Sequence, residues 1–212
     1  MEFDRRCGVG SLVIVLLWGN MAVGSNRHSE ITVLVNNSAG ISEPVLNHAE
    51  GEAARIFRAA GIDVVWVDCP RGATLADDRC RRVPGPNEFV VHIVANGTTS
   101  SDRVFGLAFL GQDGAGKYSD IFYDRVEQAH RESGADVSSL VGTVAAHELG
   151  HLLLGSHAHS YKGIMARAWN AEILRDMEMG ILLFTPDQAS RMRARIGGGG
   201  MTLVRVGASA GN

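Results

Sequence analysis

The chain has 212 residues, with 20 Lys and Arg against 23 Asp and Glu, for a formal net charge of −3. That length suits one domain with a sizeable core, and a 45 % hydrophobic content is ordinary for a globular protein. The slight negative charge argues against nucleic acid as the main partner.

Residues 1–25 read as a signal peptide: Arg5 and Arg6, an apolar run over 9–18, then small residues at Ala22, Gly24 and Ser25. The run is short for a bilayer, so cleavage near Asn26 is expected rather than a stable membrane anchor. A retained anchor is the competing reading, because Glu2 and Asp4 dilute the positive start. Export would make the chain secreted or periplasmic. Of the 3 cysteines, Cys7 would leave with the leader, and Cys69 and Cys80 would remain. An even pair in an exported chain suggests a disulfide, which would stabilise the fold by about 2–3 kcal/mol in the chain-entropy model. Two metal ligands or two free thiols are the alternative, against which stands the lack of a CxxC pair.

Residues 31–35 are a β-branched run closed by Asn36 and Asn37, hence a strand. Pro44 opens a helix to Ala60, with Val45, Ala49, Ala53, Ile56 and Phe57 near one face and Gly61 as its stop. Residues 62–67 form a second strand, so the chain starts like a βαβ unit. Arg79, Arg81 and Arg82 follow in a loop and read as a solvated face. Strands are expected at 89–94, 104–110 and 118–123, with a hairpin turn at 112–116. Asp124 is placed to cap a helix to Ser133, with Gly134 as its stop. Helices are also expected over 137–154, 171–179 and 187–196. Gly197 to Gly200 is a flexible break, and 201–206 is a short strand or a loose tail. The expected organisation is a signal at 1–25, one domain at 26–196 and a glycine-rich tail at 197–212.

The chemistry is concentrated in His147-Glu148-Leu149-Gly150-His151. On a helix, positions i and i+4 share one face, so both imidazoles can ligate one metal with Glu148 beside them as general base. Gly155 stands where a helix end favours positive φ, and His157, His159 and Gly163-Ile164-Met165 follow.

From Ala146 to Met165 the chain resembles the metzincin clan of zinc metallopeptidases, most closely secreted bacterial zincin-like proteins whose motif ends in His-Ser, two variable residues and Gly-Ile-Met. The resemblance implies an α/β (α+β) fold with a twisted, mostly parallel sheet, an active-site helix, a methionine turn at Met165 and C-terminal helices. It also implies Zn2+ as cofactor, a third histidine ligand and a peptide or protein substrate. One departure affects the third ligand. Leu154 occupies the clan's usual glycine position and Gly155 comes one place late. His157 keeps the usual ligand spacing, whereas His159-Ser160 matches the His-Ser that precedes the methionine turn. A longer helix and wider loop favour His159, with His157 as the alternative.

Zinc would lower the pKa of water to about 7, and Glu148 would accept its proton. Tyr161 is close enough in sequence to assist, although a surface tyrosine is the simpler reading. The alternative function is an exported, zinc-stabilised binding or structural protein without peptidase activity. With only 26–30 between the cleavage position and the first strand, no propeptide is expected. Narrow specificity or an inhibitor partner would then restrain a peptidase.

Overall fold

The computed structural model describes residues 29–69, 78–97, 99, 104–167 and 169–198, so the expected signal at 1–25 and the chain beyond Gly198 lie outside the described residues. Five strands form one sheet in the order β2-β1-β3-β5-β4: β1 Ser29–Asn37, β2 Ile62–Asp68, β3 Glu88–Val94, β4 Gly106–Phe109 and β5 Tyr118–Phe122. Neighbours pair in parallel except β4, which lies antiparallel to β5 at the edge. Helix α1, Glu43–Ala59, supplies the crossover that the parallel β1–β2 pair requires. The result is the mixed α/β, mostly parallel plan expected from the sequence.

Alternation along the strands sorts side chains between the two faces. Ile31, Val33 and Val35 enter the main core, while Leu34 packs on the outer face with Val67, Val90 and Cys69. A Cys69–Cys80 disulfide, with Cα atoms 5.6 Å apart, straps the turn Asp78–Arg81 onto that outer face.

Helix α3, Val137–Leu154, fills the inner side and is buried at every residue from 140 to 153. By length and composition it could cross a membrane, yet 78 % of it is buried inside the protein, so it is the core helix. Asp136 caps its start by accepting the Ser139 N–H at 2.9 Å, and Gly155 ends it at φ 64°. Gly142 allows close approach to α1, because a Cβ there would collide with the Ala49 carbonyl.

Several boundaries differ from the sequence expectations. Strand β5 runs directly into α2, Tyr123–Ser133, which has no side-chain cap. Asp124 instead accepts the Gly97 N–H at 2.9 Å and ties down the preceding loop. Strand β4 is shorter than 104–110 because its ladder with β5 covers only Gly106 to Phe109. Helix α4 spans Ala171–Glu178, with Asn170 accepting the Glu172 and Ile173 amides. Helix α5, Pro186–Gly198, absorbs Gly197 and Gly198, where a break was expected. Its last turn is anchored by buried Ile196, whose carbonyl accepts from Asn87 Nδ2 at 3.5 Å. At its start, Thr185 and Gln188 bond each other's amides as a capping box.

Candidate metal centre and its base

His147 and His151 lie one turn apart on buried α3, with rings 4.7 Å apart and edge-on. Each is oriented by a backbone carbonyl: His147 Nδ1 donates to Ile164 O at 2.7 Å and His151 Nδ1 donates to Ser156 O at 2.7 Å. A carbonyl can only accept, so each Nδ1 carries the proton and each Nε2 presents a lone pair. The two Nε2 atoms are 3.1 Å apart. Facing lone pairs at that distance repel unless a cation lies between them. Two nitrogens on a tetrahedral zinc at 2.0–2.1 Å would be separated by about 3.3 Å, so the donor set fits such an ion.

His159 completes the group. One ligand atom from each of His147, His151 and His159 lies within 4.8 Å of the others. The His159 ring is 5.4 Å from that of His147 and 4.9 Å from that of His151. His157 stands aside, with its ring 5.9 Å from His151. Burial pushes the His147 and His151 pKa values down to about 4, so both rings are neutral at ordinary pH. Burial, then the charges of Arg167 and His157, also lowers His159, which sits at the exposed edge of the group.

The turn at Gly163–Met165 builds this arrangement from below. Ile164 supplies the carbonyl that orients His147, and its own amide donates to Leu183 O at 3.0 Å. Met165 is fully buried, and its Sδ would lie 2.6 Å from a Cβ at Gly150. Only bare backbone between the two histidines admits the methionine. The Ser160 amide donates to Met165 O at 2.8 Å, and Ser160 bridges Ala166. That contact fixes the segment carrying His159.

Glu148 is 6 % exposed, and burial lifts its pKa to about 8 against the opposing hydrogen bond from the Ala108 amide. A dication on the neighbouring imidazoles would favour the carboxylate. Gly106 on β4 makes room for this side chain, since a Cβ there would lie 2.7 Å from Glu148 Cγ. Phe105 and Trp169 pack at 5.2 Å with their planes tilted by 31°, and Trp169 meets the His147 ring edge-on at 6.4 Å. They form an aromatic wall on one side of the group. Tyr161 is fully exposed.

Sequence reasoning missed Gly106, Gly150, Trp169 and the two orienting carbonyls. A glycine within a strand does signal close approach, which makes Gly106 recoverable in principle. The backbone acceptors leave no trace in side-chain identity.

No family model matches the chain, and no curated protein matches its sequence. Among solved structures, the fold is similar to a zinc-dependent peptidase from Methanocorpusculum labreanum, with TM-score 0.51, 14 % identity and coverage of 76 % of this chain and 99 % of that one. It is similar also to an archaemetzincin from Methanopyrus kandleri, with TM-score 0.50, 14 % identity and coverage of 81 % and 98 % respectively. At this identity the likeness establishes a shared fold.

Proposed function

We propose that this protein is an exported, zinc-dependent metallopeptidase of the metzincin type that cleaves peptide bonds within polypeptide chains. The observation carrying this reading is the convergence of His147, His151 and His159, with Glu148 buried on the same helix. Both similar structures are described as zinc peptidases or metzincins, which supports zinc as the metal. The Cys69–Cys80 disulfide fits an oxidising compartment outside the cytoplasm.

The three neutral imidazoles would hold zinc without cancelling its charge, and the ion would supply a Lewis acid and an acidified water. Glu148 takes the proton from the attacking water and returns it to the leaving amine. Burial raises the Glu148 pKa, and the charge of a metal on the neighbouring imidazoles would oppose that shift and keep the carboxylate ionised as a base. Ile164 O and Ser156 O hold the ligand rings in one tautomer throughout. The paired rings of Phe105 and Trp169 give the substrate an apolar wall beside the ligands.

Glu148→Gln separates this function from a zinc-stabilised binding protein. Wild type should cleave members of a peptide library, while Glu148→Gln keeps zinc and fold but loses cleavage. Equal cleavage by both proteins, or none by zinc-loaded wild type, would remove the peptidase reading.

A further inference from the structure

The stretch from Gly155 to Asn170 carries His159, the methionine turn and Trp169, yet it contains no Asp or Glu. In a chain with 23 acidic residues against 20 Lys and Arg, this stretch is charged in one sense only, by Lys162 and Arg167. Both are exposed. Arg167 is held at the metal centre from two sides. The residue before it, Ala166, is 3 % exposed and bridges Ser160, the neighbour of His159. Two residues after it, Trp169 meets the His147 ring edge-on at 6.4 Å. The backbone around Arg167 is thereby tied to ligand-bearing segments, and its charge reaches the His159 ring.

We propose that Arg167 is a specificity residue that binds a carboxylate of the substrate, which makes acidic peptides the substrate class. This deepens the peptidase reading above and rests on it. Among the described residues the Arg167 guanidinium has no hydrogen bond and no ion pair. Arg55, Arg81 and Arg82, by contrast, are each bonded to a carboxylate of the protein. Glu148, the carboxylate of the site, is engaged by the Ala108 amide and lies against Gly106. A surface arginine without a partner is ordinary in open solvent, but this one stands beside three metal ligands. A cation there repels the dication that His147, His151 and His159 would hold, and nothing acidic in 155–170 offsets the cost. A substrate carboxylate would offset it. The guanidinium fork matches a carboxylate in two parallel bonds, and its fixed backbone places that contact next to the scissile bond.

A side chain and a peptide C-terminus offer the same carboxylate, so the test separates them. Fluorogenic peptides amidated at the C-terminus would carry a single Glu or its neutral isostere Gln, walked through the positions around the cleaved bond. A second set would carry only Gln, with the C-terminus free or amidated. In the zinc-loaded protein, Glu at one position, or the free C-terminus, should raise kcat/KM roughly tenfold over its neutral counterpart. That ratio should fall to near one in Arg167→Gln, survive in Arg167→Lys and invert in Arg167→Glu, with zinc content checked in each. Cleavage with equal rates on acidic and neutral peptides would overturn the proposal and leave the peptidase reading standing. So would a preference that persists in Arg167→Gln. If no peptide is cleaved, the peptidase reading falls, and fluorescence anisotropy of the same peptides on the zinc-loaded protein decides. Tighter binding of the acidic peptide that disappears in Arg167→Gln supports the carboxylate site, and equal binding overturns it.

Discussion

A Cβ added at Gly106 would lie 2.7 Å from Glu148 Cγ, 2.8 Å from Glu148 Oε1 and 2.8 Å from the Asp120 carbonyl oxygen. Non-bonded carbon atoms settle at about 3.5–4.0 Å, so Gly106→Ala demands a shift of roughly 1 Å. Asp120 O belongs to the β5 backbone, so the Glu148 side chain must supply most of that movement. Overpacking of this kind costs about 1–3 kcal/mol, and each kcal/mol lowers Tm by roughly 2–4 °C in a domain of this size. Misplacing a catalytic group by about 1 Å costs on the order of 100-fold in rate. The orienting bonds of His147 and His151 run to Ile164 and Ser156, away from Gly106. Zinc stoichiometry should therefore hold while kcat/KM falls by about 100-fold. Peptide-cleavage kinetics, metal analysis and thermal unfolding on one preparation give all the readouts. Wild-type kcat/KM and Tm in Gly106→Ala would refute the reasoning, and zinc lost in step with activity would show that the methyl group acts on the ligands instead.

Gly150→Ala should behave differently, because its Cβ would press on Met165 Sδ at 2.6 Å and on the Phe184 ring at 2.8 Å. Displacing the methionine turn moves Ile164 O, so zinc affinity should fall roughly 10–100-fold in a chelator competition, and unchanged affinity would contradict this role. Asp136→Ala should cost about 1 kcal/mol by uncapping α3. Hydrogen bonds from the Ser138 hydroxyl, then from the Ser139 amide, hold the Asp136 carboxyl below its usual range. Its contribution is therefore full above the unfolded value of about 3.9 and is lost as pH falls through the lower folded value. The stability gap between Asp136→Ala and wild type, measured by denaturant unfolding, should be constant near neutrality and close in acid. A gap that persists undiminished to the lowest pH at which the protein folds would contradict the assignment.

The sheet strands and the long helices were legible because period-two and period-3.6 patterns are local and strong. The Gly134 and Gly155 stops were legible because positive φ leaves a residue signature, and both glycines adopt it. The Cys69–Cys80 pairing was legible because only these two of the three cysteines lie within the expected domain at 26–196. Asp124 was misread because an acidic residue at a helix start is equally suited to a loop amide, and here Gly97 takes it. Helix α5 ran on into Gly197 because tertiary anchoring at Ile196 overrides weak propensity. The choice between His157 and His159 was open because it depends on how the chain returns after Gly155. In the structure His159 lies beside His147 and His151 while Ser160 bridges Ala166, a backbone pairing that side-chain identity does not announce. Gly106 and Gly150 matter through what approaches them, which no local pattern shows.

Zinc-edge X-ray absorption on the purified protein addresses the central claim most directly, with His157→Ala and His159→Ala measured alongside. Wild type should bind close to one zinc, with three imidazole nitrogens at about 2.0–2.1 Å and one lighter ligand. His159→Ala should lose one imidazole from that shell together with tight binding, while His157→Ala should keep the wild-type spectrum. A folded chain that binds no zinc would contradict the account. So would an intact shell in His159→Ala paired with a depleted one in His157→Ala.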